Sequence, residues 1–256
     1  MLTLDYACLS DPGRKRRNNE DSAVTDESLG LALIADGMGG YNAGEVASGM
    51  ATSFICTELG RWLAQASQRA SDLEVRRAMD ICVDNANRAI FNAANANPQY
   101  AGMGTTLVMM LVVGQHAVMG HVGDSRLYML RGGSLHQLSE DHSYVTEMIK
   151  RGKMTREEAK RSPYNNVITR AIGIQPSVQV DTLMFDVLPR DTYLLCSDGL
   201  NNVVANSEIH EALKGEDSIS KLISLTYERG APDNVTVLIA EIGDGDTPTQ
   251  FLGAAK

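Results

Sequence analysis

The stretch at residues 31–40, LALIADGMGG, begins as a run of apolar residues and breaks abruptly at Asp36 and the glycines around it. Such a run is typical of a buried β-strand, and a carboxylate at its end is costly unless a cation or a hydrogen-bond donor meets it. Glycine lets the backbone turn sharply and approach a ligand, so the carbonyl of Gly37 can also serve as an oxygen donor. The stretch therefore predicts a buried strand that carries oxygen ligands at its end.

Three other stretches repeat this pattern of an acid beside an apolar strand. Residues 192–200 (TYLLCSDGL) end in Asp-Gly, residues 231–239 (APDNVTVLI) place Asp-Asn before a strand, and residues 118–126 (VMGHVGDSR) contain a Gly-Asp turn. Acids at the ends of several buried strands predict one shared carboxylate cluster. A site of carboxylates and one carbonyl, without His or Cys, suits Mg²⁺ or Mn²⁺ and disfavours Zn²⁺.

The composition argues against several classes of protein. The 256 residues carry a formal net charge of −9, so no general affinity for nucleic acid or an anionic membrane is expected. The longest apolar run, residues 106–113, is far too short to cross a bilayer, and the N-terminal stretch has an acid at Asp5 and lacks the basic region of a signal peptide. The four cysteines show no CxxC spacing and lie in apolar segments, which predicts reduced core thiols in a cytoplasmic protein.

Hydrophobic periodicity predicts two antiparallel groups of strands with long helices between them. Short connections between residues 105 and 131 require antiparallel pairing, and a capping box of Ser71 and Glu74 opens the second long helix. These elements predict an α/β protein, an α-β-β-α sandwich of two mainly antiparallel sheets packed face to face with helices outside. The predicted strands are 2–9, 21–25, 29–35, 105–113, 116–122, 126–131, 135–138, 178–185, 192–196 and 234–241, and the predicted helices are 43–66, 71–96, 207–213 and 218–228.

Residues 1–242 are expected to form one structural domain, and residues 243–256 are expected to form a flexible C-terminal tail. The segment 139–176 is polar and basic and is helical in short pieces, with a capping box of Thr155 and Glu158. We interpret this segment as an insertion that flanks the cleft rather than as a separate domain.

Six motifs fall in the order and spacing of one known family. They are RRNNED at 16–21, ADGMGG at 35–40, GTT at 104–106, GDSR at 123–126, SDG at 197–199 and DN at 233–234. On these residues the chain resembles the PPM family, the metal-dependent (type 2C-like) Ser/Thr protein phosphatases, in their compact bacterial form. A single DG or GDS is common by chance, whereas the ordered set is specific and covers about residues 3–242.

The resemblance implies a role for most acids of the predicted cluster. Asp36 would bridge two divalent ions, Mn²⁺ or Mg²⁺, with the carbonyl of Gly37 on one of them. Asp198 and Asp233 would complete the shell of the first ion. Glu20 would support the second ion, directly or through water.

The resemblance also implies features around this centre. Arg16 corresponds to the family's phosphate-binding arginine, and a guanidinium can clamp phosphate oxygens bidentately. Asp124, together with Asp198, corresponds to a weak third metal site of bacterial members, and residues 141–173 resemble the flap that shapes substrate access. Met38 stands where many eukaryotic relatives carry a histidine, so a metal-bound water is expected to protonate the leaving group.

The implied function is metal-dependent hydrolysis of phospho-Ser and phospho-Thr in proteins by a metal-bridged hydroxide. The expected partners are phosphorylated proteins, among them a cognate bacterial Ser/Thr kinase whose action the enzyme would oppose in the cytoplasm. Nucleic acid and membranes are not expected as partners.

Simpler interpretations stand beside these. Asp-Gly and Asp-Asn are ordinary turn pairs, the basic run at residues 14–17 could be solvated loop charge, and His121 is expected to be a hydrogen-bonded core histidine. Two other functions remain open, a non-catalytic relative that binds phosphopeptides and another metal-dependent phosphoesterase such as a nuclease. The intact set of acids argues against the first, and an acidic chain with 5% aromatic residues argues against the second.

Overall fold

The computed structural model describes residues 2–40, 43–66 and 70–244, and over these ranges it contains eleven strands and seven α-helices. The strands are β1 (Leu2–Asp11), β2 (Asp21–Asp26), β3 (Leu31–Met38), β4 (Gly104–Thr105), β5 (Leu107–Val113), β6 (His116–Val122), β7 (Arg126–Arg131), β8 (Ser134–Gln137), β9 (Asp181–Asp186), β10 (Thr192–Cys196) and β11 (Val235–Asp244). The helices are α1 (Ala43–Gln65), α2 (Asp72–Ala96), α3 (Tyr144–Lys150), α4 (Arg156–Lys160), α5 (Asp198–Asn201), α6 (Asn206–Leu213) and α7 (Ser218–Glu228).

The strands form two sheets in which every described pairing is antiparallel. The first sheet has the order β1-β11-β10-β7-β8, and the second has the order β2-β3-β5-β6-β9 with the short β4 beside β3. Helices α1 and α2 cover the outer face of the second sheet, and helices α5 to α7 cover the outer face of the first. The predicted α-β-β-α sandwich is confirmed.

Strand β3 shows why its sequence is apolar throughout rather than alternating. Side chains of a strand point to its two faces in turn. Ala32 and Ile34 lie in the core between the sheets, whereas Leu31, Leu33 and Ala35 lie in the core beneath α1 and α2. All five side chains are fully buried, because both faces of this strand are covered.

The second long helix, α2, begins where its capping box predicts. The Ser71 hydroxyl accepts from the N–H of Glu74 at 3.4 Å, and the Glu74 carboxylate accepts from the N–H of Ser71 at 2.7 Å. This reciprocal pair satisfies two N–H groups that a helix start leaves without internal partners. Within the described ranges, no helix combines the length and the apolar character that crossing a bilayer needs.

Several strand boundaries differ from the prediction by two or three residues; β3, for example, covers Leu31–Met38 rather than 29–35. Two of these differences have a visible cause. Strand β9 begins at Asp181 rather than at residue 178, and the Gln179 carbonyl instead accepts from the Arg170 guanidinium at 3.2 Å. Strand β11 runs to Asp244 because β1 pairs with it along its full length, with Leu2 opposite Asp244. Residues 243–244 therefore belong to the sheet, and the rest of the predicted tail, residues 245–256, lies outside the described residues.

The prediction of buried thiols is correct for two of the four cysteines. Cys82 and Cys196 are buried in the cores, and all four cysteines are free thiols. Cys8 is exposed because β1 is the edge strand of its sheet, and Cys56 is half-buried on α1. An apolar neighbourhood in the sequence did not distinguish a core strand from an edge strand.

The connection between β8 and β9 is the longest in the second half of the chain, and we call residues 138–180 the flap segment. It carries α3 and α4, and α4 begins at the predicted capping box of Thr155 and Glu158. The segment is fastened to the second sheet by reciprocal backbone hydrogen bonds between Thr105 and Ile172, at 3.0 and 2.8 Å.

Candidate metal centre

The β2–β3 hairpin brings three acids to one edge of the sandwich. Asp21 lies directly opposite Asp36 in the antiparallel register. The N–H of Gly37 donates to the carbonyl of Glu20 at 3.0 Å, which places Glu20 beside the same turn. Glu20, Asp21 and Asp36 are all partly buried. One hairpin therefore supplies three carboxylates and a strand-end carbonyl.

The first sheet adds two acids at the same edge. Asp198 follows β10 and Asp233 precedes β11, and since these strands are antiparallel neighbours, their adjoining ends meet. The hydroxyls of Ser197 and Thr236 both donate to Oδ2 of Asp21, each at 2.7 Å. Asp21 therefore joins the two sheets at the point where the acids gather.

The turn that carries Asp124 is held beside Asp36 by Thr106. The Thr106 hydroxyl accepts from the N–H of Asp36 at 3.0 Å, and the Thr106 N–H donates to the carbonyl of Asp36 at 2.9 Å. The same hydroxyl lies 2.8 Å from the hydroxyl of Ser125, which is the residue after Asp124. One buried threonine thus links two acid-bearing turns.

Arg16 contacts this group of acids through Asp233. Its Nη2 donates to Oδ2 of Asp233 at 2.7 Å, while 52% of the arginine side chain remains exposed. Asn234 fixes the preceding loop, because its Nδ2 donates to two carbonyls of residues 12–18 at 3.0 and 2.9 Å. Its Oδ1 accepts from the N–H of Glu20 at 2.8 Å. The arginine therefore lies at the rim of the acidic group.

Close backbone approach explains the glycine after two of these acids. A Cβ on Gly37 would lie 2.1 Å from the carbonyl oxygen of Gly44 and 2.6 Å from that of Glu20. A Cβ on Gly199 would lie 1.8 Å from the carbonyl oxygen of Asn234. Contacts this short exclude any side chain, so the Asp-Gly pairs here are required by packing as well as by the turn.

Mutual repulsion and burial make these carboxylates hard to ionise. Burial, followed by the charges of Asp21 and Asp198, holds the pKa of Asp36 well above its ordinary value. Burial and then the charge of Asp124 raise the pKa of Asp198 to about 7. Burial and then the charge of Asp141 raise the pKa of Asp124 to about 6. Burial likewise raises the pKa of Asp21. The group is electrostatically incomplete without a cation.

The donors fit a hard divalent cation in their chemistry. All are oxygens, and Oδ1 of Asp21 is buried without a hydrogen-bond partner in the described ranges. In those ranges no three acidic side chains are arranged as ligands of a single ion. Asp233 is hydrogen-bonded to Arg16 instead, and Oδ2 of Asp198 accepts from Asn202 at 3.0 Å. The site thus offers the charge and the oxygen donors that Mn²⁺ or Mg²⁺ prefers, and a closed shell requires these side chains to rotate inward.

All seven residues predicted for the site lie on the loops and strand ends just described. Two further residues of this edge, Asp21 and Thr106, were not predicted from the sequence to have a role. Both fall inside recognised motifs, RRNNED and GTT, and both are polar residues bordering apolar strands. That position is the only signal of their role in the sequence. Their hydrogen bonds run between turns that are far apart along the chain.

His121 lies in the core as predicted, but only one of its ring nitrogens is hydrogen-bonded. Its Nε2 donates to the carbonyl of Ser125 at 2.8 Å, and its Nδ1 is buried without a partner in the described ranges. Burial, followed by the charge of His142, lowers the pKa of His121 to about 4. The ring is therefore neutral at physiological pH.

A sequence profile described as Protein phosphatase 2C matches residues 14–238. The chain belongs to this family. The serine/threonine phosphatase stp of Listeria monocytogenes serovar 1/2a is 36% identical over 239 residues, which are 91% of this chain and 93% of that protein. The protein phosphatase PhpP of Streptococcus pneumoniae serotype 2 is 35% identical over 251 residues, 95% of this chain and 99% of that protein.

Solved structures of family members share the fold. The Mycobacterium tuberculosis phosphatase PstP/Ppp superposes with a TM-score of 0.85 at 38% identity, covering 94% of this chain and all of that one. The catalytic domain of PstP in complex with two manganese ions gives a TM-score of 0.82 at 37% identity, with 95% of this chain and all of that chain covered. The protein is a metal-dependent protein-serine/threonine phosphatase that uses Mn²⁺ or Mg²⁺ and acts on phosphoproteins.

Proposed function

We propose that this phosphatase activity resides at the edge of the sandwich where the two sheets meet around Asp36. The observation that carries the proposal is the convergence of strand ends from both sheets there. Asp36 faces Asp21 across the hairpin and is hydrogen-bonded to Thr106, and burial, followed by the charges of the neighbouring carboxylates, raises its pKa. A buried group of like charges is typical of a cation site.

The proposed ligands are those that the family resemblance implies. Asp36 would be shared by two divalent ions, and the carbonyl of Gly37 would bind one of them. Asp198 and Asp233 would complete the shell of the first ion, and Glu20 would support the second. The support for this assignment is that all five residues lie on adjoining strand ends and offer only oxygen donors.

When bound, two such ions lower the pKa of a water molecule, orient it toward phosphorus and neutralise the phosphate. The chain's own residues supply binding and position. Arg16 lies at the rim with its guanidinium half exposed, so it can hold the phosphate oxygens of an incoming substrate. Asp21 and Thr106 keep the acid-bearing turns in place through their hydrogen bonds to both sheets. Met38 carries no proton that it could give to the leaving group.

Asp124 is proposed as a ligand of a weak third ion together with Asp198. Its turn is held next to Asp36 through Thr106, and its carboxylate repels that of Asp198. One direct and one shared carboxylate leave most coordination positions to water, which is why the site is expected to be weak.

The test compares three substrate classes and counts metal ions. The metal-free protein receives p-nitrophenyl phosphate, a phosphothreonine peptide or an oligonucleotide, with and without Mn²⁺. We expect turnover of the first two only with Mn²⁺ and no turnover of the oligonucleotide. Calorimetric titration should find fewer Mn²⁺ ions, or much weaker binding, on Asp36→Asn than on the wild type. Two ions bound to Asp36→Asn with unchanged affinity would remove Asp36 from the bridge.

The setting of the enzyme follows from the same reasoning. We propose that residues 1–242 act as one phosphatase domain with a flap at 141–173, that the protein works in the bacterial cytoplasm, and that its substrates include a cognate Ser/Thr kinase. An acidic chain and relatives named as bacterial Ser/Thr phosphatases support this. A phosphoproteome comparison of a deletion strain with its parent tests it. Increased phosphorylation on cytoplasmic proteins and on a kinase is expected, and an unchanged phosphoproteome would contradict it.

A further inference from the structure

A polar cavity lies beside the proposed metal centre, and we call it the flap cleft. It has a volume of about 740 Å³ and is formed by helices α3 and α4 of the flap segment on one side and residues 201–206 on the other. Asp124 lines it, so it opens next to the acidic group. A cavity of this size can hold part of a peptide beside the reacting phosphate.

The flap segment differs in charge from the rest of the chain. Residues 150–161 contain six basic and two acidic residues, a formal charge of +4 in a chain whose net charge is −9. Two of the basic residues, Arg156 and Lys160, line the flap cleft from α4. Lys150 and Arg151 are paired with Glu140 and Glu147. The positive charge on the α4 side of the cleft therefore comes from Arg156 and Lys160.

Arg156 is available for a ligand. Within the described ranges, Arg156 forms no ion pair, and its side chain is exposed. Lys160 pairs with Glu157 at 3.0 Å, but both side chains are more than 70% exposed, so this pair is weak and readily exchanged.

Two acids also line the cleft, Asp124 and Asp141. Asp124 is a proposed ligand of the weak third ion, which would offset its charge. Asp141 is bound bidentately by Arg126, with Nε to Oδ1 at 2.8 Å and Nη2 to Oδ2 at 2.6 Å, so its charge is compensated. Neutral amides, among them Asn165, Asn201 and Asn206, line much of the remaining wall and can donate hydrogen bonds.

We propose that the flap cleft binds a second phosphate group on the substrate, carried by a residue close to the phospho-residue that is hydrolysed. Arg156 and Lys160 hold this phosphate, and a carboxylate of Asp or Glu serves as a weaker ligand at the same place. A guanidinium can bind both phosphate and carboxylate oxygens bidentately, and phosphate is the stronger ligand because it carries more negative charge. The inference rests on the proposed function and adds a preference for doubly phosphorylated or acidic substrates.

The test uses phosphothreonine peptides that differ at one flanking position. That position carries a non-hydrolysable phosphonate analogue of phosphoserine, Glu, Ala or Lys, and is moved in separate peptides through four residues on either side. For each peptide, kcat/KM is measured with Mn²⁺ and divided by kcat/KM for p-nitrophenyl phosphate. We expect the phosphonate peptide to exceed the alanine peptide about tenfold at the best position, mainly through KM, with the Glu peptide between them.

Variants test which residues cause the preference for a phosphonate at the flanking position. Arg156→Ala combined with Lys160→Ala should bring the phosphonate-to-alanine ratio close to one, and Arg156→Glu should favour the lysine peptide. Arg161→Ala is the matched control, because it removes an exposed basic residue of the same segment that does not line the cleft. It should leave the ratio unchanged. The preference should also weaken as salt is raised.

The outcomes separate two failures. Equal kcat/KM for all flanking residues, or a ratio that survives in the double variant, would overturn this inference while the proposed function stands. A ratio that falls as much in Arg161→Ala would assign the effect to general surface charge and would also overturn it. No turnover of any phosphothreonine peptide or of p-nitrophenyl phosphate with Mn²⁺ would overturn the proposed function and this inference with it.

Discussion

Two groups of acids in this protein differ in the side chains that face them. Asp141, Asp181 and Asp191 each accept hydrogen bonds from an arginine, at distances of 2.6–2.8 Å. In the described ranges, the acids of the second group accept none from a basic side chain. That group comprises Asp21, Asp36, Asp124 and Asp198.

The paired acids are stable as anions. Burial opposes the ionisation of Asp191, but two hydrogen bonds from Arg131 hold its pKa below the ordinary value. Burial also opposes the ionisation of Asp181, and bonds from Arg170 and His142 lower its pKa in the same way. The counter-charge of each of these acids is an arginine of the same chain, so their ionised form does not depend on a bound cation.

The unpaired acids show the opposite shift, because burial and mutual repulsion raise their pKa values. Arg126, Arg131 and Arg170 form ion pairs with the other group of acids. We infer that the unpaired group is held at a cost in stability so that divalent cations can supply the missing charge. The comparison supports the proposal that Asp36, Asp124 and Asp198 hold cations, with Asp21 fixing their turns, whereas the acids paired with Arg126, Arg131 and Arg170 hold the fold together.

The largest expected effect on stability comes from breaking a paired acid. Asp191→Asn leaves Arg131 without its carboxylate at a site where the acid is only 2% exposed. It should lower the free energy of unfolding by about 3 kcal/mol, equally with EDTA and with Mn²⁺. Urea unfolding in both conditions measures this.

The control for Asp191→Asn is Glu211→Gln, whose pair with Lys214 is exposed, so this variant should leave the free energy of unfolding nearly unchanged. A loss in Asp191→Asn that depends on Mn²⁺ would mean that the two groups of acids are not separate.

The next effect concerns Arg16, the basic residue that touches Asp233 at the edge of the unpaired group. Arg16→Ala should lower kcat/KM and raise KM, because a charged hydrogen bond to the phosphate is lost. The corresponding loss of transition-state stabilisation should be about 1.5–3 kcal/mol. Its effect on stability should stay below about 1 kcal/mol, since the side chain is half exposed.

Arg14→Ala is the matched control for Arg16→Ala, because the Arg14 guanidinium lies over the ring of Tyr227, 5.0 Å from its centre. Steady-state kinetics with a phosphopeptide should show a far smaller effect for Arg14→Ala and for Arg17→Ala. If Arg17→Ala proved the most damaging of the three, the assignment of the phosphate contact within this loop would be wrong.

A smaller effect is the pH dependence of the metal-free protein. Acids with raised pKa values bind more protons in the folded than in the unfolded state, so their contribution to stability falls as pH rises. For Asp198 and Asp124 this window runs from about pH 4 to pKa values of about 7 and about 6. His121 and His142 have lowered pKa values and act in the opposite direction below about pH 6.5.

The pH effect is therefore measured as the difference in unfolding free energy between wild type and Asp198→Asn, both in EDTA. The wild type should lose roughly 1–2 kcal/mol relative to the variant between pH 5 and pH 7.5. A difference that is flat across this range would show that Asp198 carries no electrostatic cost.

Local patterns in the sequence predicted most of the fold. Apolar strands, short antiparallel connections and two capping boxes fixed the elements to within a few residues, because each depends on neighbours along the chain. The start of β9 was missed because Arg170 takes the Gln179 carbonyl, a contact that no local pattern encodes. The exposure of Cys8 was missed because the position of β1 at a sheet edge is a property of the whole fold.

The acids of the site could be predicted because each interrupts an apolar strand, but their supports could not. Asp21 accepts hydrogen bonds from Ser197 and Thr236, which lie 176 and 215 residues further along the chain. Neither the pairing of the sheets at Asp21 nor the link through Thr106 leaves a pattern in the sequence beyond a polar residue next to a strand. The arginine partners of the paired acids were missed for the same reason.

The most direct test of the account is the thermal unfolding of wild type and Asp36→Asn, each with EDTA and with saturating Mn²⁺. Without metal, the variant should melt about 2–4 °C above the wild type, because one of the mutually repelling charges is gone. With Mn²⁺, the wild type should gain much more stability than the variant, so the order reverses. A metal-free wild type that melts above the variant, or an equal gain from Mn²⁺ in both, would contradict the claim that these unpaired acids are held for a cation.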